Sequence, residues 1–145
     1  MIKKIQFNKE LKEQEERSKR GKRSKTKGAS YERTIAKKFC KAYGIELTRT
    51  PQSGGFAKKS EKAEEFRGDI VSVDKDIDLM LHIECKNHKS WSLPSWLKQA
   101  NSDCPKGKIA TVIFHKANTS DNYICLSLED FFNLVDKNKI VRRKE

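Results

Sequence analysis

The chain has 145 residues, with 32 Lys and Arg against 20 Asp and Glu, for a formal net charge of +12. Hydrophobic residues make up 35% and charged residues 36%, which suits one domain with a modest core and excludes two ordinary ones. No apolar run approaches the ~20 residues of a membrane span and the N-terminus shows no secretory h-region, so the charge excess points to a polyanion, nucleic acid before an acidic membrane surface.

Residues 1–28 carry 11 basic and 4 acidic side chains. The segment Arg17 to Lys27 has no apolar residue, so it has little surface to offset its ordering entropy and reads as a flexible basic arm. Residues 3–16 are charge-mixed and read as a short helix. This divides the chain into an arm, residues 1–27, and a folded domain, residues 28–145. Tyr31, Ile35, Phe39 and Tyr43 recur every four residues and predict an amphipathic helix, with Ser30 as N-cap and Gly44 as the C′ residue. Residues 45–50 predict a short strand, followed by a Pro51-Gln-Ser-Gly-Gly55 loop and a polar stretch over 56–67.

Residues 69–73 and 78–86 predict a β-hairpin around Asp74-Lys-Asp-Ile-Asp78. A helix is expected over 92–101, with Pro94 in its first turn. The run KIATVIFH over 108–115 reads as a strand buried on both faces. A further strand over 122–127 and a last helix opened by Ser127-Leu-Glu-Asp130 complete the order. The expected fold class is α/β, a mixed sheet of about five strands flanked by helices. Cys40, Cys85, Cys104 and Cys125 are widely separated, form no CxxC pair and read as reduced thiols of an intracellular protein.

The chemistry concentrates in Gly68-Asp69 and Ile83-Glu84-Cys85-Lys86. Strand alternation puts Glu84 and Lys86 on one face and Ile83 and Cys85 on the other. A hairpin turning near Asp76 lays Asp69 across from Glu84. Two close carboxylates repel unless a cation sits between them, and oxygen-only ligation with open positions suits Mg²⁺ or Mn²⁺. The nearby lysine suits a phosphate or an attacking water. A bare i,i+2 Glu–Lys pair is common on surface hairpins, but Leu79, Leu81 and Ile83 mark this strand as core, where unpaired charges are rare. Asp74-x-Asp76-x-Asp78 opens like a calcium loop but lacks its Gly and its closing Glu, and reads as a solvated turn. His82 shares the Glu84 face and reads as a structural histidine. Trp91 and Trp96 read as core or interface residues before base-stacking platforms. No phosphate-binding loop is present, so ATP is not implicated.

Gly68-Asp69 with Glu84-Cys-Lys86 resembles the signature of the PD-(D/E)XK, restriction-endonuclease-like, nucleases, though its proline is absent, since Arg67-Gly68 precedes Asp69. Lys27-Gly28-x-x-Tyr31-Glu32-Arg33, Arg49-Thr-Pro-x-Ser53-Gly54-Gly55, Gly68-Asp69-Ile70 and Ile83-Glu84-Cys85-Lys86 follow one another as in the archaeal-type Holliday junction resolvases, over about residues 27–116. The resemblance implies a restriction-endonuclease-like core. It implies metal ligation by Glu32, Asp69, Glu84 and the Cys85 carbonyl, with Lys86 as the catalytic lysine. Ser53 would support cleavage from the loop. Arg33, Arg49, Gly54, Gly55, Lys25, Lys27 and Gln99 would lie along the DNA. It implies a Mg²⁺-dependent homodimer that resolves four-way DNA junctions by paired phosphodiester hydrolysis, acting in the cytoplasm or nucleoid, or in the host cell if viral, without membrane or ATP. The alternatives are a restriction-type or nicking nuclease of the same superfamily, or a non-catalytic DNA-binding recombination accessory protein.

Overall fold

The structure, a computed structural model, describes residues 2–50, 68–116 and 119–135, with side chains from residue 10 onward. Its first element corrects the sequence reading. Helix α1 runs unbroken over Ile2–Tyr43, 42 residues, about 63 Å at 1.5 Å per residue. The expected basic arm, residues 1–27, is therefore the front part of this helix, and the short helix expected over 3–16 continues into the one expected from Tyr31. Lys, Arg, Glu and Gln are good helix formers and outnumber the weaker Asn, Ser, Thr and Gly, and no proline interrupts them. Glu16 pairs with Arg20 at 3.3 Å and Glu15 with Lys19 at 4.0 Å, both at i,i+4 spacing. Ser30 is thus no N-cap; its carbonyl accepts from Thr34 Oγ1 inside the helix.

Among the described residues, α1 packs through its last third. Tyr31, Ile35 and Ala36 are buried with Leu47, Ile70, Ile83 and Ile113, and Phe39 and Cys40 border them. Tyr43, expected on the same stripe, is 71% exposed at the helix end. There Gly44, at φ 67°, takes the left-handed turn and donates its N–H to the Cys40 carbonyl at 2.9 Å.

The strands are β1 (Leu47–Arg49), β2 (Ile70–Ser72), β3 (Leu81–Lys86), β4 (Ile109–His115) and β5 (Asn122–Cys125). They form two sheets rather than one, β1–β2 and β3–β4–β5. The expected hairpin is also revised. β2 pairs antiparallel with β1, Thr48 opposite Val71, and β3 pairs parallel with β4, Glu84 opposite Val112. Residues 74–78 still turn, held by the Asp76 N–H on Asp74 Oδ1 at 2.9 Å. The two sheets are joined where the Asp69 N–H donates to the Ile83 carbonyl at 2.7 Å.

Helix α2 (Leu93–Asp103) covers the other face of the three-stranded sheet. Trp96 and Ala100 pack there with Ala110, Val112 and Phe114. With α1 on one side and α2 on the other, β4 is buried from Ala110 to Phe114, as its continuous apolar run required. Helix α3 (Leu128–Leu134) starts at Ser127, whose Oγ accepts from the Asp130 N–H at 3.0 Å, but none of its residues is buried. Among the described residues all four cysteines are free, and no helix is long and apolar enough to cross a membrane.

Candidate functional site

The site lies where β2 begins and β3 ends. Gly68 precedes it at φ 91°, and a Cβ there would meet the Ile83 carbonyl oxygen at 3.1 Å and His82 Nδ1 at 3.2 Å. Both the conformation and the close approach therefore require glycine. This lets Asp69 reach β3 twice: its N–H bonds the Ile83 carbonyl, and its Oδ2 accepts the Cys85 N–H at 2.7 Å. The carboxylate takes the ladder position that a main-chain carbonyl would otherwise fill. The juxtaposition of Asp69 with Glu84 thus exists without the hairpin that motivated it.

Alternation along β3 does the rest. Ile83 packs into the α1 core, while His82, Glu84 and Lys86 share the opposite face. Lys86 Nζ donates to Glu84 Oε2 at 3.3 Å and to Gln99 Oε1 on α2 at 2.9 Å. His82 Nε2 lies 3.7 Å from Glu84 Oε1. Glu84 is 8% exposed and His82 2%.

Burial and the neighbouring carboxylates Glu84 and Glu32 push the Asp69 carboxyl up to about 7, against the lowering effect of the Cys85 N–H and Lys86. Burial also raises Glu84, opposed by its contact with Lys86. Cys85 is raised chiefly by burial, with Asp69 adding to it, which keeps it a thiol. Two buried carboxyls, the charge of Glu84 raising Asp69, lower their energy by sharing a cation. Their oxygen-only donors match a hard divalent ion. Among the described residues no three acid, His or Cys side chains converge in ligating geometry. Asp69 and Glu84 are the residues here that could hold such an ion.

Glu32 is the third acid, 9% exposed on α1. Its Oε2 accepts from Arg49 Nε on β1, so Arg49, expected along DNA, is engaged by a carboxylate of its own chain. Arg33, Lys25 and Lys27 are exposed on α1, and Gln99 is exposed on α2. Ser53, Gly54 and Gly55 lie outside the described residues. The sequence reading missed the Glu32–Arg49 pair, which links elements 17 residues apart with no spacing signal. It also missed Asn87, whose Nδ2 donates to the Lys27 carbonyl at 3.3 Å and whose Oδ1 meets His115 Nε2 at 2.5 Å. Extending the β3 alternation by one step, to 83, 85 and 87, would have turned Asn87 toward α1.

A family model described as "Phage putative PDDEXK endonuclease" matches residues 23–145 of the chain. No curated protein and no solved structure matches it.

Proposed function

The chain belongs to the phage PDDEXK endonuclease family, and from that premise we propose that it is a metal-dependent, structure-selective endodeoxyribonuclease whose substrate is a four-way DNA junction. Nucleases of this superfamily use a divalent metal. Mg²⁺, or Mn²⁺ in its place, would sit between Asp69 and Glu84 with the Cys85 carbonyl as a further donor, and when bound would polarise the phosphate and acidify water. The observation that carries the reading is the arrangement of Asp69 on the Cys85 N–H beside Glu84 on Lys86.

The chain's own groups then have separate tasks. The Cys85 N–H fixes the Asp69 carboxylate. Gln99 and Glu84 hold Lys86 Nζ between them, where its charge can meet the phosphate that gains charge during cleavage. Glu32 brings a third acid toward the pair, oriented by Arg49. Ser53 is assigned to the scissile phosphate by the resemblance alone.

A junction has two like strands to cut, so two copies of the site are needed, and a two-fold dimer supplies them. The test is to incubate the protein with four-way, duplex and single-stranded DNA, with and without Mg²⁺, and map the cuts. Paired symmetric incisions in the junction alone are expected. Equal cutting of plain duplex would overturn junction selectivity, and no cutting with any metal would overturn the nuclease assignment.

A further inference from the structure

Of eleven large apolar side chains exposed among the described residues, six fall within residues 123–134. They are Tyr123, Ile124, Leu128, Phe131, Phe132 and Leu134, each 41% to 67% exposed. At roughly 200 Å² for a whole side chain of this size, they present on the order of 600 Å² of apolar surface. The largest apolar patch of a typical monomer is ~300–600 Å², and each side of a standard protein–protein interface buries ~800 Å².

Two elements carry this surface. On α3, Leu128, Phe131, Phe132 and Leu134 share one face and Glu129, Asp130 and Asn133 the other, yet no residue of the helix is buried. Just before it, β5 ends the three-stranded sheet. The opposite edge, β3, is closed by Asp69 on the Cys85 N–H, whereas among the described residues no strand pairs with the outer edge of β5. Edge strands are commonly blunted by Lys or Pro, and Asn122-Tyr-Ile-Cys125 has neither.

Charge and symmetry choose the occupant. Residues 117–136 hold four acids and none of the 32 Lys and Arg, which disfavours DNA and an acidic membrane alike. A second copy fits. The same edge of two copies related by a two-fold axis runs antiparallel, so β5 can pair with its own counterpart and the contact closes as a dimer. The spacing agrees. Helix α2 lies over β4 through Trp96 and Ala100. The two β4 strands would be three strand spacings apart, about 14 Å, while directly packed helices lie ~8–10 Å apart. The difference leaves a layer for side chains between the two α2 helices. Trp91 and Tyr123 stand on that side of Phe114, half-exposed, with ring centroids 5.7 Å apart.

We propose that the β5 edge and the apolar face of α3 form the contact between two copies of this chain, joined through one six-stranded sheet. This rests on the nuclease reading, which needs two sites, and adds their placement. The two β3 strands become the outer strands of one sheet, five spacings or about 24 Å apart along it. The two-fold axis preserves the sheet face, so both copies carry Glu84 and Lys86 on the same face.

The test measures the mass of the full chain by light scattering over a concentration series in metal-free buffer. The wild type should reach twice 16.8 kDa. Ile124→Lys and Phe132→Lys each put a charge at an exposed position that is used twice across the two-fold axis. Each should raise the dimer dissociation constant at least about 100-fold. Circular dichroism checks the fold, and Phe132→Lys, on the helix surface, decides if the strand variant fails to fold. The outward N–H groups of β5 should resist hydrogen exchange in the wild-type dimer and exchange faster in the monomeric variant. A wild type that stays monomeric, its apolar face covered by its own remaining residues, would overturn the proposal. So would folded variants that stay dimeric, or unprotected outward β5 N–H groups in the dimer. If the wild type makes paired cuts in a four-way junction while both variants stay dimeric, this inference fails and the nuclease reading stands. If the variants fall to monomers yet the wild type cuts no DNA with any metal, the reverse holds.

Discussion

The Asp69 carboxylate accepts the backbone N–H of Cys85 at 2.7 Å, so an acidic side chain closes the edge of β3 one residue from Glu84. Asp69→Asn keeps that acceptor in the amide oxygen, and Glu84→Gln keeps the shape. Both variants should therefore fold and bind DNA while losing cleavage by at least about 100-fold, the scale of removing one group that stabilises a transition state. Gel shifts and cleavage assays on the same preparations decide this, and near-normal cutting by either variant would remove the site from these residues.

The same burial makes a prediction about pH. In the unfolded chain an Asp titrates near 3.9, whereas in the fold Asp69 is pushed up to about 7. Below about pH 4 both states are protonated and the group contributes nothing. Between about pH 4 and 7 the folded state keeps a proton that the unfolded state has lost, so stability falls as pH rises, and above 7 the penalty is complete. The metal-free protein should lose about 2 to 4 kcal/mol across that window through this residue. Asp69→Asn should flatten the loss, and Mg²⁺ should restore stability at pH 7 to 8 in the wild type only. Parallel denaturation curves for the two proteins with and without the ion would show it. Identical pH profiles would mean that Asp69 ionises normally.

Lys86 is held by Glu84 and Gln99 and packs no apolar cavity, so Lys86→Ala should abolish cleavage without unfolding the chain. Gln99→Ala removes only one of its two tethers and should slow cutting less. Single-turnover rates, with a circular-dichroism melt for each variant, test the order. An active Lys86→Ala would reduce the lysine to a strand-end charge.

Arg49 and Glu32 form an ion pair between β1 and α1 whose carboxylate is nearly buried. Removing Arg49 strands that charge, so Arg49→Ala should destabilise more than Arg49→Ala in a Glu32→Gln background. A coupling of about 1 to 3 kcal/mol is expected from urea melts of the four proteins. Strict additivity would show a passive contact.

The positions that were legible in the sequence share a local cause. Glu84 and Lys86 follow from period-two alternation, β4 from an apolar run covered on both sides, and Gly44 and Ser127 from cap chemistry. The relationships that escaped are long-range. Whether β2 pairs with β1 or with β3 depends on which partner edge is free, and β-prone composition is the same in either case. The basic segment of α1 escaped for another reason. It was read by the surface it cannot bury, while Lys, Arg and Glu at i,i+4 spacing give a helix without burial. Trp91 and Trp96 divide as no pattern required, one exposed beside Tyr123 and the other in the α2 core.

That helix yields the last prediction. Residues 10–27 are exposed throughout, and among the described residues this stretch is tied to the end of β3 by the Lys27 carbonyl, which accepts from Asn87. Deleting residues 1–21 leaves that link and the packed last third of α1 in place. The stability change should be small, ~0.5 kcal/mol or less, as for surface changes away from packed features. DNA binding should respond differently. The deletion removes seven basic and four acidic side chains, and Glu15 and Glu16 already pair with Lys19 and Arg20. Every phosphate that the shortened helix no longer neutralises should lower the slope of log K against log salt by about 0.9 on duplex DNA. A net removal of three positive charges therefore corresponds to a decrease of about 2 to 3. Salt titrations of binding for the full and shortened chains measure it directly. An unchanged slope would mean that the front of α1 does not meet DNA. A shortened chain that fails to fold would mean that residues before Lys22 support the core or an interface between copies.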